Sequence, residues 1–132
     1  MSDITTVHII ETDASTYSAQ IDVSGHRFAA DEPLDYPGGG DTGPSPFDLL
    51  TAALAACTVM TIRWYAVQKN IPLDKAEANV TFDRKTATFT KEITLHGDGL
   101  TAEQREKLVE ISARCPVHKV LTGDIQINTS GH

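Results

Sequence analysis

The sequence predicts an α+β fold in which antiparallel strands are grouped apart from the helices. Segments that alternate apolar and polar residues with a period of two lie on both sides of a long apolar stretch. The resulting order, β-β-(β)-α-β-β-α-α-β, lacks the strict alternation of strand and helix that a parallel sheet requires. No internal repeat or linker divides the 132 residues, so we expect one domain spanning 1–132.

Two short strands open the predicted fold. Val7 and Ile9 share one face of the first, Ile21 and Val23 share one face of the second, and His26 begins a third. A turn-rich segment, 31–45, follows. Its length of about fourteen residues is unusual in a compact domain unless the loop is functional.

The central apolar stretch predicts a long helix. Ser45 and Pro46 form a strong start signal, and Asp48 supplies an acidic group to the first turn. The helix can continue to about Asn70, and residues 49–62 are apolar or small on every side. A helix that is hydrophobic all round must be enclosed, and a chain of this size has difficulty enclosing one. We therefore expect contacts with a partner.

The second half of the chain predicts two strands and two helices. The strands are centred on Val80 and Ile93, with a turn near Lys85. Thr101 and Gln104 have the spacing of a capping box and begin a helix.

The end of this helix carries the second cysteine. The spacing of Leu108, Ile111 and Cys115 places Cys115 on the inward face, with Pro116 interrupting the helix directly after it. A short helix then resumes to Gly123. Residues 124–127 predict a last strand.

The charge balance argues against two classes of partner. Eighteen acidic and eleven basic residues give a net charge of −7 and a pI near 5.0, which disfavours binding to nucleic acid or to an anionic membrane. The start of the chain lacks the basic and apolar regions of a secretory signal. The uncharged run between Asp48 and Arg63 is shorter than the roughly 20 residues that span a bilayer. We expect a soluble protein of the reducing cytoplasm.

Cys57 and Cys115 are the residues with the clearest chemistry. Each is predicted on an inward helix face, 58 positions apart, and neither forms a CxxC pair. Both could be small buried hydrophobes, which is a common role for cysteine. As a pair they suit a peroxidatic thiol, which becomes a sulfenic acid, and a resolving thiol, which captures it as a disulfide.

A peroxidatic thiol at Cys57 would need a nearby cation. A thiol with a pKa of about 8.5 is only about 3% ionised at pH 7, and Cys57 is far from the N-terminus of its own helix. The local candidates are Arg27, His26, Arg63, Arg114 and His118. We expect Arg27 to supply the charge, although a solvated strand arginine is the alternative.

The sequence gives weaker indications of metal binding, phosphate binding and serine hydrolysis. Cys115 and His118 have a two-residue spacer, but one such pair supplies only half of a structural zinc site. The glycine run 38–40 is not followed by Gly-Lys-Ser/Thr, and no Gly-x-Ser-x-Gly occurs. We therefore expect no metal, haem, flavin or nicotinamide cofactor.

Two motifs resemble those of the OsmC/Ohr family. Residues 43–57, Gly-Pro-Ser-Pro-Phe-Asp-Leu-Leu through Ala-Ala-Cys57, resemble its first cysteine motif. Residues 115–121, Cys-Pro-Val-His-Lys-Val-Leu, resemble its second. The element order and the separation of the cysteines agree over essentially the whole chain.

The resemblance implies a fold, an assembly and an activity. The fold is OsmC-like, with antiparallel sheets wrapped around long central helices in an intertwined homodimer. The activity is that of a cysteine-based hydroperoxide reductase, acting on organic hydroperoxides with an external dithiol as reductant. By match, Cys57 is the peroxidatic and Cys115 the resolving cysteine.

Some positions depart from the family pattern. Well-characterised members carry a glutamate after the motif proline, where this chain has Phe47 and then Asp48, so Asp48 is a candidate for the acid's role. Phe47, Met60 and Trp64 are candidates to contact the substrate, although such residues commonly serve core packing. The alternative function is a noncatalytic dimer that binds a small apolar ligand or a partner.

Overall fold

The computed structural model describes residues 3–132, which form five strands and three helices. In chain order these are β1 (Val7–Glu11), β2 (Ala19–Val23), β3 (His26–Ala30), α1 (Pro46–Gln68), β4 (Lys75–Asp83), β5 (Thr88–His96), α2 (Ala102–Ser112) and α3 (Pro116–Thr122). The α+β class and the antiparallel pairing predicted from the sequence are confirmed. The chain divides into two compact units, one ending at Leu50 and the other beginning at Thr51.

The first unit contains a three-stranded antiparallel sheet in the order β1-β2-β3. Ile9 pairs with Ile21, which pairs in turn with Phe28. Ser24 and Gly25, both at positive φ, connect β2 to β3 in a two-residue turn whose twist matches that of the strands. Ile21 is buried, but every residue of β1 is exposed, so the apolar side chains of that strand have no cover within the described chain.

The long loop of the first unit is organised around the buried carboxylate of Asp31. This carboxylate accepts hydrogen bonds from the hydroxyls of Ser15 and Thr42, each at 2.8 Å, and from the amide of Glu32 at 2.8 Å. Burial alone would raise the pKa of Asp31, but these donors outweigh it and hold the pKa well below its usual range. The predicted loop is therefore a fixed structure.

Helix α1 begins where the sequence predicted. The Ser45 hydroxyl accepts from the Asp48 amide, and the Asp48 carboxylate accepts from the Ser45 amide, so both residues cap the helix. A narrow stripe of four residues is buried: Leu54, Thr58, Ile62 and Ala66. The rest of the helix is largely exposed, including the side chains of Met60 and Trp64 at 69% and 58%.

The sequence expectation considered only the uncharged run within α1. The whole helix of 23 residues is long and apolar enough to cross a membrane, judged by length and composition alone. Buried helices of soluble proteins meet the same criterion, so this finding is weak evidence for a span.

The second unit places α2 and the rest of α1 against the β4–β5 hairpin. Alternate residues of β4 and β5 are protected from solvent, as the period of two predicted. Thr101 and Gln104 form the predicted capping box at the start of α2. The core of this unit consists of Ile62, Ala66, Leu73, Leu95, Leu100 and Leu108.

Two predictions near the C-terminus are wrong. Residues 124–127 form no strand, because no described strand pairs with their backbone, and Ile127 is 84% exposed. Cys115 is buried, as predicted, but α2 ends at Ser112 and Cys115 lies beyond it. The residue before a proline avoids helical backbone angles, and Cys115 is extended with φ −63° and ψ 137°.

Candidate active site

Cys57 and Cys115 lie next to each other in the second unit. Cys57 is half-buried near the middle of α1, and Cys115 is fully buried just before α3. Both are free thiols, and the interaction between their side chains shifts the pKa of each. The fold therefore brings together two sulfurs that are 58 positions apart in the sequence.

The start of α3 places backbone amides at the cysteine pair. Cys115 is the N-cap of this helix and Pro116 its first residue, a favourable pair for a helix start. The His118 amide donates to Cys115 Sγ at 3.3 Å, and the Val117 amide lowers the pKa of Cys57. Because first-turn amides have no partner within their own helix, they are available to bind sulfur.

The two thiols differ in acidity. Burial raises the pKa of Cys57, but hydrogen bonds from the Val117 amide, the Cys115 thiol and Thr61, with the charge of Lys91, lower it overall. Burial raises the pKa of Cys115, and donation to Cys57 raises it further. Cys57 is therefore the thiol that ionises first, with Cys115 as its hydrogen-bond donor.

The cation near these sulfurs is Lys91 of β5. Its side chain is half-buried, and its ammonium donates to the Ser112 carbonyl and to Nδ1 of His118, each at 3.2 Å. Its charge acts on both Cys57 and Cys115. Lys91 was not among the cations predicted from the sequence. The sequence does place Lys91 on the face of β5 whose other residues are apolar, and this position could have indicated a role for its charge.

A cavity of ≈ 360 Å³ lies beside this cluster. Lys91 and His118 form part of its wall, and the remaining lining is mainly apolar or small: Leu54, Ala87, Thr88, Phe89, Leu121 and Thr122. The cavity can hold a small, largely apolar molecule against a positively charged group.

Arg27, which the sequence analysis favoured as the cation, lies on β3 in the first unit. Its guanidinium is exposed and forms an ion pair with Asp22, its cross-strand neighbour, with Nε 2.8 Å from Oδ1. This ion pair raises the pKa of Arg27 and lowers that of Asp22. The proposed role of Arg27 remains a prediction.

The other predicted cations have different contacts. Arg63 donates to the Leu73 and Asp74 carbonyls. Arg114 pairs with Glu110. His118 is the one of these that lies at the cysteine site.

Phe47 and Asp48 lie in the first turn of α1, within the first unit. Asp48 caps the helix through Ser45, whose hydrogen bonds lower the pKa of its carboxyl. Phe47 is exposed. Neither observation assigns these residues a catalytic or substrate-binding role.

Met60 and Trp64 are exposed on α1. Met60 lines a second cleft, of ≈ 500 Å³, whose other lining residues are Val59, Arg63, Lys75, Ala76, Glu77 and His96. The Trp64 ring lies 6.4 Å from that of Tyr65. Among residues 3–132, no group of three or more His, Cys, Asp or Glu side chains could hold a metal ion.

Comparison with known proteins identifies the class to which this fold and its cysteine pair belong. The family model described as OsmC-like protein matches residues 38–130. The chain therefore belongs to the OsmC-like protein family.

Two curated relatives carry the name hydroperoxide reductase. The protein from Mycoplasma genitalium is 31% identical to this chain, in a match that covers 67% of this chain and 70% of the relative. The protein from Mycoplasma pneumoniae is 33% identical, over 64% of this chain and 67% of the relative.

The fold matches that of a solved relative. The crystal structure of an OsmC-like protein from Mycoplasma pneumoniae superposes with a TM-score of 0.76 at 22% identity, covering 93% of this chain and 90% of that one. The architecture of this chain is therefore an α+β OsmC-like fold.

Proposed function

We propose that this protein is a thiol-dependent peroxidase that reduces organic hydroperoxides, with Cys57 as the attacking thiol and Cys115 as the resolving thiol. The observation that carries the proposal is the placement of two free thiols at the start of α3, where Cys115 caps the helix and Lys91 supplies a positive charge to both. The names of the two curated relatives support the reaction class.

In the first step, the Cys57 thiolate attacks the terminal oxygen of the hydroperoxide. An S–O bond forms as the O–O bond breaks, giving a Cys57 sulfenic acid and an alkoxide, which takes up a proton to become the alcohol. Sulfur loses two electrons and the peroxide gains them.

In the second step, Cys115 attacks the sulfur of the sulfenic acid. A disulfide forms and water leaves, carrying the sulfenic hydroxyl and one proton. The interaction between the two side chains supports this step, because it places Cys115 beside the sulfur that it would attack. An external dithiol then reduces the disulfide, and we propose the reducing cytoplasm as the compartment.

The cavity beside the cysteines supports an organic substrate. Leu54, Phe89 and Leu121 offer apolar walls for an alkyl group. Lys91 and His118, which interact with the cysteines, line the same cavity. Phe47, Met60 and Trp64 remain proposed substrate contacts, and Arg27 and Asp48 remain proposed catalytic residues.

We also propose that the protein acts as an intertwined homodimer. The exposed apolar side chains of α1, including Met60, Trp64 and Val67, support this assembly, because a second copy would remove them from water. Sedimentation equilibrium should give twice the chain mass of 14.3 kDa. A monomer at micromolar concentration would contradict the proposal.

The test of function is intact-mass analysis after one equivalent of cumene hydroperoxide. We expect the wild-type chain to lose two hydrogens as the disulfide forms. In Cys57→Ser, the remaining thiol of Cys115 should stay unoxidised. In Cys115→Ser, Cys57 should gain one oxygen as a sulfenic acid, which dimedone traps. Fragment-ion mass analysis is the control, because it separates oxygen added to the Met60 thioether from the loss of two hydrogens at the cysteines.

The result also distinguishes the noncatalytic alternative. A wild-type chain that keeps both thiols reduced, even with excess peroxide, would contradict the proposed activity. Retention of an apolar ligand by such a chain would favour the binding function instead.

A further inference from the structure

Lys91 is a charged residue on the otherwise apolar, inward face of β5. On the inward face of β5 its neighbours at alternate positions are Phe89, Ile93 and Leu95, and the core of the unit begins at Leu95. A lysine can expose its ammonium while burying its stem, but here the ammonium points to a backbone carbonyl and a histidine ring.

The charge of Lys91 has no carboxylate partner. None of the ion pairs among residues 3–132 includes it. The titratable groups that face it are Cys57 from α1, Cys115 from the cap of α3 and His118 from α3. Because buried charges are normally paired, the partner available to Lys91 is a thiolate.

His118 holds the ammonium and is itself oriented by it. An ammonium can only donate, so Nδ1 of His118 accepts this hydrogen bond. The Ser112 carbonyl at the end of α2 fixes a second direction of the ammonium. Two of the three N–H bonds of Lys91 are thereby used, and one remains for another acceptor.

The remaining N–H of the Lys91 ammonium is available to a molecule bound in the neighbouring cavity. Lys91 and His118 both line the space of ≈ 360 Å³ beside the cysteines. Burial also lowers the pKa of Lys91, against the raising effect of the two thiolates, which makes its ammonium a better acid.

We propose that Lys91 is the general acid of this site, donating a proton to the alkoxide that leaves when Cys57 attacks a hydroperoxide, and that His118 is the positioning residue for its ammonium. The inference rests on the proposed peroxidase function. As the O–O bond breaks, the Lys91 N–H bond breaks and the alkoxide takes the proton to become the alcohol. The neutral amine then takes up a proton from water, replacing the one that Cys57 released to water on ionising.

The test compares two peroxides that differ in their need for an acid. Cumene hydroperoxide releases an alkoxide, which must be protonated, whereas peracetic acid releases a carboxylate, which needs no proton at neutral pH. General acid catalysis contributes about 10²–10⁴-fold, so Lys91→Met should slow Cys57 oxidation by cumene hydroperoxide at least about 100-fold. Because its effect on thiolate content is common to both peroxides, the loss with peracetic acid should be at least about tenfold smaller.

Lys91→Arg separates charge from proton transfer. Arginine keeps the positive charge but does not give up its proton in proteins. The variant should retain the wild-type pH dependence of Cys57 alkylation by iodoacetamide and still lose rate with cumene hydroperoxide. It also serves if Lys91→Met fails to fold, since it preserves the charge near the thiols.

Lys85→Met is the matched control, because Lys85 lies exposed in the turn of the same hairpin and should behave as wild type. His118→Gln, whose amide oxygen can accept from Lys91, should retain more activity toward cumene hydroperoxide than His118→Phe.

Equal loss with both peroxides in Lys91→Met and no loss in Lys91→Arg would overturn the role of Lys91 as an acid. Failure of wild-type oxidation by either peroxide would instead overturn the proposed function and this inference with it.

Discussion

Cys115 accepts a hydrogen bond at Sγ, 3.3 Å long, from the backbone amide of His118 in the first turn of α3. The neighbouring amide of Val117 lowers the pKa of Cys57. The two thiols also shift the pKa of each other, so the amides and the sulfurs form one interacting cluster. The cluster gives Cys57 the lower pKa without help from the N-terminus of its own helix.

The hydroxyl of Thr61 contributes to the acidity of Cys57. It lies 3.9 Å from the sulfur, one turn along α1. Its hydrogen bond stabilises the thiolate, so Thr61→Val should raise the pKa of Cys57 and slow its alkylation at pH 7 by about two- to fivefold. The measurement is the pH dependence of the iodoacetamide rate.

Thr58→Val provides the control for this change. Thr58 lies on the same helix, but its hydroxyl donates to the Leu54 carbonyl rather than to sulfur. Its alkylation profile should match that of the wild-type protein. A Thr61→Val profile that also matches would show that the hydroxyl does not act on Cys57.

Asp31 should make stability sensitive to acid. The pKa of its carboxyl is lowered in the folded state, so the ionised form stabilises the protein above the unfolded pKa of about 3.9. That stability is lost as the pH falls from there toward the lower folded pKa. Urea unfolding of wild type and Asp31→Asn should therefore differ most at pH 6–7 and converge as the pH falls below about 4.

Asp13→Asn is a suitable comparison, because Asp13 is an exposed carboxylate in the same unit. A difference between Asp31→Asn and wild type that stays constant down to the lowest accessible pH would contradict the linkage.

The capping role of Asp48 predicts a modest effect on stability. Asp48→Ala removes the acceptor for the Ser45 amide and should lower the free energy of unfolding by about 1 kcal/mol. Asp48→Asn retains an acceptor and should cost less than half as much. Equal costs for the two variants, measured by urea unfolding, would mean that the hydrogen bond is not the source of the effect.

Gly43 is required by close packing. A Cβ atom at this position would overlap the Ala29 carbonyl oxygen, and backbone must move to relieve the clash. Gly43→Ala should therefore lower the free energy of unfolding by about 1–3 kcal/mol. Gly131→Ala, where nothing lies within 4 Å, should change it by less than about 0.5 kcal/mol.

Local signals predicted most of the secondary structure. Ser45 with Pro46 fixed the start of α1, and Thr101 with Gln104 fixed the start of α2, because capping depends on residues near in sequence. The strand expected at 124–127 had the right alternation but needed a partner strand, which a local pattern cannot supply. Its isoleucines remain exposed.

The site could be predicted only in part. Helical spacing and the two motifs singled out Cys57 and Cys115, and the structure brings them together. The Val117 and His118 amides could not be assigned, because they act through the approach of α3 to α1 rather than through side-chain identity. Lys91 was not predicted as the cation, because a single lysine in a strand of alternating polar and apolar residues is expected to face solvent until its spatial neighbours are known.

The unpaired ammonium of Lys91 has a consequence for redox balance. Its charge is compensated when Cys57 is a thiolate and is left uncompensated when both sulfurs are joined, since a disulfide carries no charge. Stabilising the reduced form raises the reduction potential of a dithiol–disulfide pair. If the proposed reaction forms a disulfide between Cys57 and Cys115, we therefore expect it to be reduced more easily than it would be without the charge of Lys91.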